Sequence, residues 1–127
     1  MKLRLQGSSL RLRVTRPELN TLLISGRIQE TTRFSPQPNA ALTFALECAA
    51  CKAVNVHHGI NELTVVLPWE VAHHWAQESE VSITAAIDVG GTDLAVLVEK
   101  DFACLHSSDE ENAGSFPNPR QNIAGPA

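Results

Sequence analysis

The chain has 127 residues, of which 43% are hydrophobic and 19% charged, and its formal net charge is −4. This length fits one domain, and the composition is that of a globular protein, which excludes collagenous, coiled-coil and wholly disordered chains. The acidic total argues against a generally basic nucleic-acid-binding protein, and the absence of an 18-residue apolar run argues against a transmembrane helix.

The first 14 residues predict a β-hairpin. Apolar and polar side chains alternate on both sides of Gly7–Ser8. If these two residues form a type II′ turn, the numbers of facing residues add up to 15. Arg4 then faces Arg11 and Lys2 faces Arg13, while every apolar residue lies on the opposite face of the hairpin.

A helix is predicted next. Thr15 and Glu18 have the spacing of a capping box, Pro17 suits the first helical turn, and Gly26 is a helix-ending residue. Two strands follow at 27–34 and 42–47, joined by a loop at 35–39.

The second half of the sequence repeats this order of elements. Residues 66–71 resemble residues 14–19 at an offset of 52. The predicted elements are strands Ala53–Val56 and Glu62–Leu67 around a His58–Gly59 turn, a helix Pro68–Gln77, and strands Val81–Ile87 and Asp93–Cys104 around a Gly90–Gly91 turn.

These elements predict an α+β fold built from two pseudo-duplicated ββαββ units. We expect a mostly antiparallel sheet, or a partly closed barrel, packed with two helices. Residues 1–106 form one globular domain with possible halves at 1–47 and 53–106, and residues 107–127 are expected to form a largely flexible acidic, proline-containing tail.

The charge is unevenly distributed along the chain. Residues 1–34 carry seven basic and two acidic side chains, a net of +5, whereas residues 35–127 carry three basic and twelve acidic side chains, a net of −9. Such an asymmetry points either to an anionic partner or to neutralisation of one part by the other in the folded protein.

The predicted hairpin gathers four of the basic side chains on one face, where like charges oppose each other across the strands. Because such pairs are destabilising, an anion should lie over them. Its source is either a carboxylate of the chain itself or an external anion, which arginine forks bind well. The predicted binding residues are Lys2, Arg4, Arg11 and Arg13, and the candidate internal carboxylates are Glu47, Glu99 and Asp101.

The leading hypothesis is therefore a non-enzymatic binding module for a small anionic ligand or an acidic protein surface. Sequence-specific nucleic-acid binding is not expected, because the chain has no tyrosine and only 5% aromatic residues to stack on bases. No membrane partner is expected, and the oligomeric state is left open.

The cysteines suggest an alternative function. Cys48 and Cys51 have the spacing of a metal knuckle, and Cys104 with His106 would complete a zinc site. The opposing interpretation is that the pair lies in an alanine-rich connection and that Cys104 packs as a small apolar residue. We predict no cofactor, with zinc as the alternative. Three cysteines without a secretion signal favour a cytoplasmic protein.

A second alternative is a small enzyme using Lys100, Asp101 and Cys104 near the arginines, which requires a base close to the thiol. His73 and His74 lack a metalloprotease pattern, and we expect them to be ordinary surface or half-buried residues.

Several stretches together resemble a family of small bacterial proteins of unknown function. Residues 4–15 follow the pattern R-x-x-G-x-S-x-R-x-R-x-T, and residues 99–105 follow E-K-D-F-x-C-L ahead of Phe-Pro-Asn-Pro at 116–119. The resemblance covers nearly the whole chain and implies no activity. It implies that the family pattern includes Arg4, Gly7, Arg11, Arg13, Lys100, Asp101 and Cys104.

This resemblance also has departures. Ser8 stands where the family often has Asn, and Gly114–Ser115 stand where an acid often precedes the aromatic residue. The family pattern lacks the Cys48–Cys51 pair, which argues against the zinc site, and it implies that the segment around Phe116 docks on the domain.

Overall fold

The computed structural model of the chain describes residues 1–77 and 82–101. Within them lie two helices and eight strands, so the predicted α+β class is confirmed. In chain order the elements are β1 (Lys2–Gln6), β2 (Ser9–Val14), α1 (Arg16–Ser25), β3 (Arg27–Arg33), β4 (Ala41–Ala49), β5 (Asn55–Gly59), β6 (Glu62–Pro68), α2 (Trp69–Ala76), β7 (Ser82–Asp88) and β8 (Asp93–Lys100).

The strands form two four-stranded sheets. Sheet 1 has the order β1-β2-β8-β7, and sheet 2 has the order β3-β4-β6-β5. In each sheet the two outer pairs are antiparallel and the central pair is parallel, β2 with β8 and β4 with β6. The expectation of mostly antiparallel sheet is therefore confirmed. Neither sheet closes on itself in the described part of the chain, and a partly closed barrel is not confirmed.

Each sheet combines one hairpin from each half of the chain. Hairpin β1–β2 pairs with β8, and hairpin β3–β4 pairs with β6. Neither 1–47 nor 53–106 therefore contains a complete sheet of its own. The order ββαββ occurs twice along the described chain, whereas a common origin of the two halves stays a prediction.

Helix α1 begins and ends as its sequence predicts. The Glu18 amide donates to Thr15 Oγ1 at 3.4 Å, and the Thr15 amide donates to Glu18 Oε1 at 2.9 Å, which completes the capping box. Gly26 ends the helix with φ of 82°, a left-handed conformation that favours glycine, and its N–H donates to the Leu22 carbonyl at 2.8 Å.

One hydrophobic core joins both sheets and both helices. Its members alternate along β2 and β8, so each strand of sheet 1 has an inner face toward the core and an outer face away from it. Burying each large side chain contributes roughly 1.5–3 kcal/mol. The largest fully buried side chains are Trp75, Leu12, Leu22, Leu46, Leu67, Val14, Val65 and Val98.

The turn predicted at His58–Gly59 is wrong, because both residues belong to β5. The chain reverses at Ile60–Asn61, where Asn61 has φ of 60°. Asparagine tolerates this left-handed conformation better than most residues. The sequence prediction placed the turn two residues too early because it relied on Gly59. The turn predicted at Gly90–Gly91 is confirmed, with both residues at positive φ.

Within the two described ranges, no helix combines the length and the apolar character needed to cross a bilayer. The tail predicted at 107–127 and the docking segment around Phe116 lie outside the described residues.

Candidate functional site

Hairpin β1–β2 adopts the predicted register. Arg4 pairs with Arg11 and Lys2 with Arg13, and Gly7 has the positive φ of 53° that a type II′ turn requires at its first central position. The leucines and valine of β2 are buried on the inner face. The four cationic side chains therefore share the outer face of sheet 1, which we call the basic face.

Strand β8 brings one carboxylate to the basic face. Parallel pairing sets Glu99 beside Arg13. Arg11 Nε and Nη2 each lie 2.7 Å from Glu99 Oε1, and Arg13 Nε lies 2.7 Å from the same oxygen. The Glu99 side chain is only 14% exposed. One carboxylate oxygen thus accepts hydrogen bonds from two arginines, in the charge-assisted form that is stronger than a neutral hydrogen bond.

A second carboxylate lies at the end of the same strand. Lys2 Nζ is 3.6 Å from Asp101 Oδ2, and the Asp101 side chain is 8% exposed. The Asp101 amide donates to the Val14 carbonyl at 2.8 Å, which continues the β2–β8 pairing beyond the strand. Two of the three carboxylates predicted to neutralise the hairpin are therefore in position to do so.

The third candidate, Glu47, lies on the other sheet and does not reach the basic face. Its Oε1 accepts from Arg27 Nη1 at 2.8 Å, because antiparallel pairing of β3 and β4 sets these two residues opposite each other. Glu47 was grouped with the other carboxylates because sequence alone does not reveal which strands share a sheet.

The cations of the basic face are concentrated on β1 and β2, where four basic side chains meet Glu99 and Asp101. Arg4 is exposed, and among the residues that the structure describes no carboxylate forms an ion pair with it. Strand β7, on the far side of β8, adds Ser82 and Thr84 to this face, and the paired Asp88 and Asp93 add two carboxylates at its other end. The described face therefore carries as many carboxylates as cations, but its positive charge is gathered around Arg4 and Arg11.

On the outer face of sheet 2 one arginine lies between two carboxylates. Arg27 donates from Nη1 to Glu47 and from Nη2 to Glu62, each at 2.8 Å. Burial lowers the pKa of this guanidinium, but the hydrogen bonds and charges of the two carboxylates outweigh that effect and leave the pKa raised. The Arg27–Glu62 contact was not predicted, since it crosses from β3 to β6 over β4 and depends on strand order.

The α-amino group of Met1 was also missed by the sequence analysis. It contacts the capping carboxylate Glu18 and lies 2.8 Å from Glu30 Oε1, so it joins β1 to α1 and β3. Burial lowers the pKa of this amine, and the two carboxylates raise it by more. Burial likewise raises the pKa of Glu18, and hydrogen bonds from the amine and Thr15 lower it overall.

The residues of the enzyme hypothesis are only partly described. Lys100 leaves β8 on the side opposite Asp101 and donates from Nζ to the Gln77 carbonyl at 2.6 Å. Asp101 faces Lys2 instead. Cys104 lies outside the described residues, so the enzyme hypothesis stays an untested prediction.

The cysteine pair is split between core and surface. Cys48 is buried, and burial, together with the nearby Glu47 and Cys51, raises the pKa of its thiol to about 11. Cys51 is exposed, with its Sγ 3.5 Å from the Ala53 carbonyl. Cys104 and His106 fall outside the described residues, within which no group of three or more His, Cys, Asp or Glu could hold a metal ion. The zinc site stays an untested prediction.

The described histidines have no shared ligand geometry. His73, on α2, is exposed and stacks on Trp69 with ring centroids 5.7 Å apart. His57 and His58 are exposed on successive residues of β5 and therefore point to opposite faces of sheet 2.

A shallow cavity of about 320 Å³ lies between α2 and β7. Its described lining is mostly apolar and includes no lysine or arginine, so it does not extend the basic face. The lining residues are Glu70, Val71, His74, Trp75, Ser82 and Ile83.

Comparison with known proteins places the chain in a family. The model of a protein family described as a family of unknown function (DUF7009) matches residues 1–120. No curated protein and no solved structure matches the chain. The matched range contains every strand that forms the basic face.

Proposed function

The chain belongs to the DUF7009 family, and we propose that it is a non-enzymatic binding module whose basic face holds an anionic group of a ligand or partner protein. One observation carries this proposal. Arg4 is exposed beside Arg11 in the cluster of four cations on β1 and β2, and no carboxylate of the described chain pairs with it.

The two arginines of this pair offer complementary donors. Facing side chains in an antiparallel pair begin about 5 Å apart, so the guanidinium groups of Arg4 and Arg11 reach the same small region. Arg11 commits Nε and Nη2 to Glu99. Its Nη1 and the whole Arg4 fork are left to bind a phosphate or carboxylate, for which planar guanidinium groups are well suited.

Glu99 supports this role by fixing the arginines. A long side chain loses conformational freedom when it binds a ligand, and a contact that already orders it reduces that cost. Glu99 accepts from Arg11 and Arg13 at one oxygen and is itself mostly buried, so the two guanidinium groups are ordered in the absence of a ligand.

The experiment uses inorganic tripolyphosphate as the anion and the thermal unfolding of the full chain as the readout. We expect tripolyphosphate to raise the unfolding temperature in low-salt buffer, and Arg4→Gln to weaken the apparent affinity by about fivefold to tenfold, as the loss of one charge-assisted contact would. Sodium chloride at high concentration should weaken it further because surface charges are screened.

Arg33→Gln is the matched control. Arg33 is an exposed arginine on β3 of sheet 2, and its Nη2 donates only to the Gln37 carbonyl among the described residues. The substitution removes the same charge from the chain without touching the basic face. Equal weakening by both substitutions, or no stabilisation by any phosphate, would contradict the proposal.

The proposal extends to the finer features predicted from sequence. A cytoplasmic location is supported by the two free cysteines of the described chain, Cys48 and Cys51. An origin by duplication is supported by the repeated element order and by Glu47 and Glu99, which lie 52 residues apart and each accept from an arginine on a neighbouring strand.

A further inference from the structure

Strand β1 forms an open edge of sheet 1. Only β2 lies beside it in the described part of the chain. Because Gly7 and Ser8 form a two-residue turn, Lys2, Arg4 and Gln6 direct their backbone groups toward β2. The N–H and C=O groups of Leu3 and Leu5 therefore point away from the sheet, and in the described ranges no backbone hydrogen bond reaches them from another segment.

The two faces of this edge differ in chemistry. Lys2 and Arg4 lie on its outer face, and Leu3 and Leu5 lie on its inner face. Leu5 is 60% exposed, although its partner Leu10 on the next strand is only 2% exposed. A strand placed beside β1 would cover Leu5 and would bring its own outward side chains over the two cations.

The described chain has no other edge with this combination. Strand β7 has no cation along its length, and β5 carries asparagine and two histidines. Strand β3 has Arg27, which is already held by two carboxylates, and Arg33, whose Nη2 donates to the Gln37 carbonyl and which pairs with Ala41. Among the four edges of the described sheets, only β1 has an arginine facing a second arginine and, within the same strand, an exposed leucine.

A second copy of the chain is a poor occupant of this edge. Antiparallel pairing of two β1 strands would set Lys2 and Arg4 of one copy near the same cations of the other. Like charges on neighbouring strands are destabilising. The charge of this edge instead fits a strand that carries carboxylates.

We infer that an extended segment of an acidic partner protein adds to β1 as a fifth strand of sheet 1. Its carboxylates lie over Lys2 and Arg4, its apolar side chains cover Leu5, and its backbone pairs with Leu3 and Leu5. The inference rests on the proposed function, since it names the partner of the same cations. Carboxylates two residues apart are about 6.6 Å apart along a strand, which matches the spacing from Lys2 to Arg4.

The test uses the full chain and a peptide labelled at its N-terminus, fluoresceinyl-Glu-Leu-Glu-Leu-Glu-amide, followed by fluorescence anisotropy. Two further peptides carry backbone N-methyl groups, one on the leucines and the other on the central and last glutamates. In a strand, alternate N–H groups point to opposite sides, so strand addition uses only one of the two sets. We expect one methylated peptide to bind at least about tenfold more weakly and the other to bind like the parent.

Each remaining outcome overturns the inference. Equal binding of all three peptides means that charge alone holds them, and this leaves the proposed function intact. An equal loss of affinity for both methylated peptides also argues against strand pairing at one edge. If neither the peptides nor tripolyphosphate bind, the proposed function fails as well.

Protein variants separate the same two ideas. Leu5→Thr keeps a strand-forming residue and should weaken peptide binding about threefold to fivefold while leaving tripolyphosphate binding unchanged. Arg4→Gln should weaken the binding of both ligands. If Leu5→Thr changes the binding of neither ligand, the apolar side chains of the partner do not contact Leu5.

The same experiment tests two other occupants of the β1 edge, the chain's own acidic run and a second copy of the chain. Substituting Asp109, Glu110 and Glu111 by their amides removes an acidic run of this chain. Peptide binding that becomes tenfold tighter or more in that variant would identify the chain's own acidic run as the occupant. A dimer in sedimentation velocity that the peptide dissociates would identify a second copy. We expect neither result.

Discussion

Both outer faces carry ion pairs between arginines and carboxylates, but the ratio of arginines to carboxylates in these pairs is inverted between the two sheets. On sheet 1 a single carboxylate, Glu99, accepts from both Arg11 and Arg13. On sheet 2 a single guanidinium, Arg27, donates to two carboxylates. The two sheets share strand order and pairing directions, so the fold itself does not require either charge balance. The cluster of cations on β1 and β2 is therefore a property of the side chains of sheet 1 that a binding role can explain.

The comparison also separates structural ion pairs from those open to a ligand. Each of the three guanidinium nitrogens of Arg27 has a partner, since Nε donates to Gln29 at 3.0 Å and the other two face carboxylates. Arg4 has no such partners in the described chain. An arginine with every nitrogen occupied stabilises the sheet, whereas an exposed and unpaired arginine can bind a further anion.

The largest effect is expected from the carboxylate shared by two arginines. Glu99→Gln should lower the free energy of unfolding by about 2 kcal/mol, because it removes the charge that opposes Arg11 and Arg13 at a mostly buried position. Glu47→Gln should lower the free energy of unfolding by less than about 1 kcal/mol, because Arg27 keeps its contact with Glu62. Urea unfolding of both variants at low ionic strength measures the difference.

Tripolyphosphate provides a second readout for the same pair of variants. It should stabilise Glu99→Gln more than the wild type, because the donors of Arg11 and Arg13 that Glu99 occupied become available to the anion, and this gain outweighs the lost ordering of the two side chains. A Glu47→Gln variant as unstable as Glu99→Gln would remove the distinction between the two faces.

An intermediate effect is expected from giving sheet 2 an unpaired arginine. The double variant Glu47→Gln with Glu62→Gln leaves Arg27 without a carboxylate. Tripolyphosphate should then stabilise the variant by about 0.5–1 kcal/mol more than the wild type, the range of a partly exposed ionic contact. Thermal unfolding with and without the anion measures this gain. No gain would mean that one free arginine is not enough and that the Arg4–Arg11 pairing is required.

The smallest effect concerns the contact that joins the two sheets at Met1. The lowered pKa of Glu18 means that its contribution to stability is present above its unfolded pKa and is lost as the pH falls through the folded value. The raised pKa of the Met1 amine means that its contribution is present below its unfolded pKa and is lost as the pH rises through the folded value. The unfolding temperature should therefore decline modestly at both ends of the pH range.

Glu18→Gln should flatten the acid decline, and Glu30→Gln should reduce mainly the alkaline one, because it removes one acceptor of the amine and leaves the helix cap intact. Unfolding temperatures recorded from pH 3 to pH 10 provide the measurement. A profile unchanged by both substitutions would exclude this contact as a link between the sheets.

Local features were predictable because local chemistry determines them. The hairpin register follows from a two-residue turn and strict alternation, and the structure has the same pairing of Arg4 with Arg11. Helix α1 follows from Thr15, Glu18 and Gly26, each of which satisfies a backbone group at a helix end. The sequence also predicts that Glu99 neutralises the hairpin, although only as one of three candidate carboxylates.

The assignment of strands to sheets was not predictable in the same way. The parallel pairs join segments far apart in sequence, and nothing within β2 indicates that β8 is its neighbour. For this reason Glu47 was grouped with Glu99 although the two lie on different sheets. The open edge at Leu5 was missed for a related reason, since alternation predicts an inward face but not whether another strand covers it.

The exchange of hairpins between the halves has a consequence for the order of folding. Strand β2 pairs with a strand about 86 residues further along the chain, and such distant contacts form late because a long loop must close first. During synthesis the hairpin with its four cations emerges well before Glu99. Until β8 arrives, the nascent chain presents those cations without their internal carboxylate, and it is then most exposed to capture by polyanions in the cell.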